Sequence, residues 1–104
     1  MNLMDLDLEN AIDISSYNGQ EYTPTKSGIF YAQYLPSANN NFSISFKDEC
    51  RKSAGGSNIT YMHTIVANQW FTIERYVGKR AFTYTAPSIN TSQTNRGFYF
   101  IPFK

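Results

Sequence analysis

Apolar residues in this chain recur at every second position in short runs, and no run long enough to make a helix carries them at three- and four-residue spacing. Strict alternation is the signature of a strand with one buried face. Phe42, Ile44 and Phe46 alternate with Ser43, Ser45 and Lys47. Ile59, Tyr61, His63 and Ile65 share one face of the next run, and Thr60, Met62, Thr64 and Val66 share the other. Ile12-Asp13-Ile14-Ser15 alternates in the same way, whereas Ile29–Leu35 and Phe98–Phe103 are apolar on both faces. Trp70–Val77 and Ala81–Thr85 flank Gly78-Lys79 and are read as a hairpin.

Between the runs stand turn formers: Asn18-Gly19, Pro24, Gly28, Pro36 to Asn41, Ser53 to Ser57, the neighbourhood of Asn68, and Pro87 to Asn95. Gly and Asn supply the positive φ and Pro the fixed φ that tight turns need. Many short strands punctuated in this way predict an all-β fold, a compact jelly-roll-like β-sandwich of about seven to eight antiparallel strands over residues 10–104. Residues 1–9 are read as an extension. Met1, Met4, Leu8 and Ala11 lie at spacings of 3, 4 and 3, which suits either a linker or the last turns of a coiled-coil stalk.

The 104 residues suffice for one core. Charged residues are only 16% of the chain, against about 25% in ordinary soluble proteins. Polarity comes instead from 10 Asn, 10 Ser and 9 Thr. This surface suits proteins that work outside cells or on virions. The net charge of +1 gives no electrostatic footprint for nucleic acid or an anionic membrane. No segment reaches the roughly 20 apolar residues of a membrane span, and Met1 to Asp5 lacks a secretory leader's pattern. The expectation is synthesis in a cytoplasm, with the triplets starting at Asn41, Asn58 and Asn90 left unglycosylated. Cys50 is the single cysteine, so an intrachain disulfide is excluded; it is a free thiol or an interchain bridge.

No constellation for catalysis emerges. His63 is the one histidine, and its place in an alternating strand reads as a sheet residue. Asp5, Asp7 and Glu9 read as solvated, not as a cation site, and Asp48-Glu49 as loop charge. No carboxylate pair stands out for glycoside hydrolysis, and no Gly-rich phosphate loop is present. The chain is therefore expected to be no enzyme and to need no cofactor or metal.

Binding fits better. Aromatic rings with amides and hydroxyls are the pairing that recognises sugars. The polar half lies in the loops, with Asn39, Asn40, Asn41, Asn58, Asn90 and Gln93 as candidate contacts. Trp70 and Tyr76 are assigned to the core. A strand apolar on both faces needs a second covering surface, because a monomer seldom tolerates a large exposed apolar patch. A homo-oligomer follows, with Phe30, Tyr34, Tyr99 and Phe103 as candidate interface residues.

The order of elements also resembles a known family. Asn10-Ala11-Ile12-Asp13-Ile14 is followed by Tyr22-Thr23-Pro24-Thr25-Lys26-Ser27-Gly28-Ile29-Phe30, which is similar to the segment leading into the first long strand of phage tail-fibre and head-fibre terminal domains. Thr72 to Arg80 resembles the hairpin of those domains, and Arg96 to Pro102 their closing aromatic strand. The alanine before the proline is missing here, and Thr25-Lys26-Ser27 replaces the family's Ser-Asp. The resemblance implies a jelly-roll-like knob, usually trimeric, on a virion fibre that touches a host-surface glycan or protein; it transfers no binding residues. Two other readings fit the residues: a capsid- or baseplate-decorating virion protein that meets only other virion proteins, and a carbohydrate-binding module.

Overall fold

The computed structural model describes residues 5–46 and 59–104. Eight strands are formed: β1 (Ile12–Asp13), β2 (Glu21–Tyr22), β3 (Gly28–Tyr34), β4 (Asn40–Phe46), β5 (Ile59–Ile65), β6 (Phe71–Gly78), β7 (Phe82–Thr85) and β8 (Gly97–Pro102). They make two four-stranded antiparallel sheets, ordered β1-β8-β3-β6 and β2-β7-β4-β5. Four of the pairings are nested: β1 with β8, β2 with β7, β3 with β6, β4 with β5. The chain is thus one long antiparallel ribbon folded over on itself, and β3–β8 and β4–β7 pairing closes it into two sheets. That connectivity is the jelly roll, and the expected all-β sandwich is the observed fold.

Alternation builds the core. Phe30, Ala32 and Tyr34 of β3 and Phe98 and Phe100 of β8 face Phe42, Ile44 and Phe46 of β4 and Phe82 and Tyr84 of β7. The rings pack in contact across the gap. Phe30 stacks on Tyr84 with centroids 5.0 Å apart, and Tyr84 on Phe98 at 5.1 Å. Tyr84 also ties the sheets together, because its buried hydroxyl donates to the Ile14 carbonyl at 2.7 Å. As expected, Ile59, Tyr61, His63 and Ile65 lie on the inward side of β5, in register with Phe46, Ile44, Phe42 and Asn40.

Three local readings change. Trp70–Thr85 is not a hairpin: β6 belongs to one sheet and β7 to the other, so the turn at Gly78 carries the chain across the sandwich. Ile12–Ser15 forms only a two-residue strand, after which Ser15–Tyr17 makes a 3-10 turn. Residues 5–10 run along the end of β8, with a Leu6–Phe103 bridge and the Asp7 N–H bonded to the Pro102 carbonyl at 2.8 Å. Met1 and Met4, which complete the heptad-like spacing, lie outside the described residues, as do Cys50, Asp48-Glu49 and Ser53–Ser57.

Candidate functional site

The two outer faces of the sandwich differ in chemistry. On the β2-β7-β4-β5 sheet, outward positions are Ser43 and Ser45 on β4, Thr83 and Thr85 on β7, and Thr60, Met62 and Thr64 on β5. With Asn41 on β4 and Glu21 on β2, and apart from Met62, this is a polar surface made mostly of hydroxyls, with Ser45 and Thr60 bonded across the strands at 2.8 Å. Such a face is satisfied by water.

The β1-β8-β3-β6 sheet is the opposite case. Its outward cross-strand pairs include Ile29–Ile101 and Tyr31–Tyr99 between β3 and β8, and Ile29–Tyr76 and Tyr31–Glu74 between β3 and β6, with polar Gln33–Thr72 and Asp13–Tyr99 at its margins. The Tyr99 ring lies over Gly97, where a Cβ would come 3.1 Å from its Cζ. Leu6, Leu8 and Ala11 border this face beside Tyr31, Tyr99 and Ile101. Leu8 is 68% exposed, and Ile12 at the sheet edge is exposed as well.

At the end of this sheet where the chain's first and last described residues meet, the face deepens into a groove of about 910 Å³. Its apolar floor includes Ile29 and the stacked rings of Tyr76 and Phe103, 6.1 Å apart at an interplanar angle of 21°. Lys26, Lys79 and Lys104 line it and are exposed. The β3 registers Gly28–Pro102 and Gly28–Gly78 explain the convergence, since each lysine lies one or two residues beyond a member of that row. Lys104 approaches Asp5 at 3.7 Å, an exposed ion pair of small energetic weight.

The residues singled out from the sequence are dispersed by comparison. Phe30 and Tyr34 are wholly buried between the sheets, so neither can touch a second chain while the sandwich is closed. Tyr99 and Phe103 are half-buried on the outer face and in the groove. The loop amides hold the loops themselves. Asn39 Oδ1 accepts the Ala67 N–H at 2.9 Å, and Asn40 Oδ1 accepts the Asn41 N–H at 2.9 Å. Asn90 Oδ1 accepts both the N–H and the hydroxyl of Ser92, and the Gln93 carbonyl accepts from Arg96. The Asn40 and Asn90 contacts are local turns, the usual use of Asn in loops, whereas Asn39 ties its loop to Ala67, 28 residues along the chain. Asn41 sits on the hydroxyl face, opposite Thr64, and Asn58 lies outside the described residues.

Trp70 and Tyr76, assigned to the core from sequence, are instead 45% and 58% exposed. The signal for Tyr76 was present in its parity. Ile73 and Val77 point inward, so Thr72, Glu74 and Tyr76 share the outward side of β6.

His63 is a sheet residue flanked by Phe42 and Phe71, with ring centroids 6.3 and 6.1 Å away. Its Nε2 is buried without a hydrogen-bond partner. Burial, and secondarily the charge of Arg75, hold its pKa below the ordinary histidine value. Arg75 itself lies over the Tyr61 ring at 4.2 Å, joining the two free sheet edges β6 and β5. No group of three or more potential metal ligands occurs among the described residues. No helix among them is long and apolar enough to cross a membrane.

The chain matches no protein-family model, no curated protein and no solved structure. Its functional reading therefore rests on the residues and their geometry.

Proposed function

We propose that this chain is a non-catalytic end domain of a phage-type virion fibre, made in the host cytoplasm, assembled as a homotrimer and attaching the virion to a host-surface glycan or protein. The observation that carries the reading is the contrast between the two outer faces. One sheet presents mainly Ser and Thr to solvent, while the other presents the half-buried Ile29, Tyr31 and Tyr99 around a buried Ile101, bordered by exposed Leu8. An apolar face of this kind asks for a covering surface, and a second copy of the same chain supplies one of matching chemistry. The jelly-roll sandwich, the sparse charge and the resemblance of the segments at 10–30, 72–80 and 96–102 to fibre terminal domains point the same way.

Light scattering on the purified chain at micromolar concentration tests the assembly, and a mass of about three times the 11.9 kDa protomer is expected. Tyr31→Glu places a second carboxylate beside Glu74 in the middle of the face and is expected to return the protein to monomers that keep their β-sheet circular dichroism. A wild-type protein that is monomeric at these concentrations refutes the assembly. Adsorption of the trimer to host cells tests attachment, and its absence on every strain of the producing species refutes that part.

A further inference from the structure

The groove beside Tyr76 gathers all three lysines found among the described residues, Lys26, Lys79 and Lys104. Arg75 lines it as well, Glu74 is the one acidic side chain in the lining, and the nearby Asp5 is engaged with Lys104. This concentration of positive charge occurs in a chain whose net charge is +1. Beneath the lysines lie apolar surfaces: the Ile29 side chain, and the Tyr76 ring lying nearly parallel on Phe103. The exposed Tyr76 ring is braced by Phe103 and its hydroxyl lies over Gly78, an arrangement that presents an aromatic platform without the entropic cost of ordering it on binding.

We infer that this groove binds an acidic sugar, a pyranose carrying a carboxylate, as the host-surface ligand. A sugar ring has an apolar C–H face that packs on an aromatic ring and a hydroxyl edge that needs donors and acceptors. A carboxylate on that ring would meet the lysine ammonium groups. A purely apolar ligand would leave the lysines unused, and a bare inorganic anion would leave the Tyr76–Phe103 platform unused. The volume of about 910 Å³ accommodates more than one sugar residue. The inference rests on the attachment reading for its biological setting, but the groove stands on its own geometry. It lies at the margin of the face assigned to assembly, sharing Leu6, Ile29, Glu74 and Tyr76 with it, and Lys26 and Lys79 fall outside the shared part.

The test is calorimetric titration of the full chain with galacturonate oligosaccharides and, separately, with sialyl-lactose, with lactose and an Asp/Glu-rich peptide as controls. Saturable binding of at least one acidic sugar, weakened by added salt, is expected, and which of the two binds identifies the source as a polyuronide or a sialylated glycan. Lys26→Ala and Lys79→Ala should each weaken it roughly tenfold, the loss of one charge-assisted contact. Tyr76→Ala should weaken it by a similar factor while Tyr76→Phe keeps most of it, and light scattering should show the assembly unchanged in the two lysine variants and in Tyr76→Phe. Lack of binding to either acidic sugar at millimolar concentration overturns the inference. So does equal binding of lactose, equal binding of the acidic peptide, or indifference to the lysine variants. Trimers that adsorb to cells but bind neither acidic sugar overturn the groove alone; trimers that bind an acidic sugar yet adsorb to no cell overturn the attachment reading alone.

Discussion

Tyr84 shows how one side chain joins the two halves of the sandwich. Its ring is fully buried against Phe30 and Phe98, and its hydroxyl donates to the carbonyls of Ile14 at 2.7 Å and Ser15 at 3.3 Å, beyond the far end of β1. Burial raises the phenol's pKa, so it stays a donor at all ordinary pH. Tyr84→Phe keeps the packing and removes this tie, while the Ile14 carbonyl still accepts the Tyr17 N–H at 2.9 Å, so a loss of about 1 kcal/mol is expected, read as a lower urea midpoint. His63 gives a second, pH-dependent effect. Its folded pKa lies below the ordinary value of 6.5, so between the two the unfolded chain binds more protons than the folded one. Stability therefore rises with pH across that window and falls as the solution is acidified from neutrality toward the folded pKa. Replacing His63 with leucine should flatten urea midpoints measured between neutral and mildly acidic pH; an unchanged slope would assign it to other groups. Asp13 acts lower on the scale. The hydroxyl and N–H of Ser15 hold its pKa down, so its contribution is present above the ordinary carboxylate value and disappears below it.

At the scale of elements, β3 organises the sheet that carries the candidate site, pairing with β8 on one side and β6 on the other. Gly28 opens it at a crowded point. A Cβ there would stand 2.7 Å from Phe100 Cζ and 2.8 Å from the Pro102 Cα, and closer still to the Ile101 carbonyl oxygen. Backbone on a paired strand cannot yield, so Gly28→Ala is expected to cost about 3 kcal/mol. Gly19 is the contrasting case: its φ is +81°, but nothing lies within 4 Å of a Cβ, so only the left-handed backbone is penalised, by about 1 kcal/mol. Urea unfolding of the two alanine variants checks the order, and a milder effect at Gly28 would contradict the packing argument. The strands themselves were legible because alternation such as Phe42-Ser43-Ile44-Ser45-Phe46 depends only on local burial. Partners were less legible. Proximity in sequence suggested β6 with β7, whereas β6 pairs with β3, more than 35 residues away by its register Tyr34–Phe71. The candidate groove was unreadable for the same reason. Lys26, Lys79 and Lys104 meet only because nested pairing brings the start of β3 beside the ends of β6 and β8.

For the whole molecule, the question is how much surface the apolar face can offer. Three strands of about seven residues, β8, β3 and β6, and the two-residue β1, about 4.8 Å apart at 3.4 Å per residue, make a footprint near 380 Å². A stable interface buries about 800 Å² on each partner, so the sheet face alone falls short and the flanks must join it. The exposed flanking group is Leu8, in the 3-10 turn after Asp7. A trimer built on this face then couples folding to assembly, because association stabilises only the folded protomer. The midpoint of thermal unfolding should rise with protein concentration in the wild type. In Tyr31→Glu, where the centre of the face carries a charge, it should be lower and independent of concentration. Leu8→Asp should fall between them, since it removes a flank and leaves the Tyr31–Tyr99 and Ile29–Ile101 pairs in place. Calorimetric scans over a hundredfold range of concentration separate these outcomes. A wild-type midpoint that does not move with concentration, together with a monomeric mass, would mean that the half-buried Ile29, Tyr31 and Tyr99 are left uncovered in the working protein.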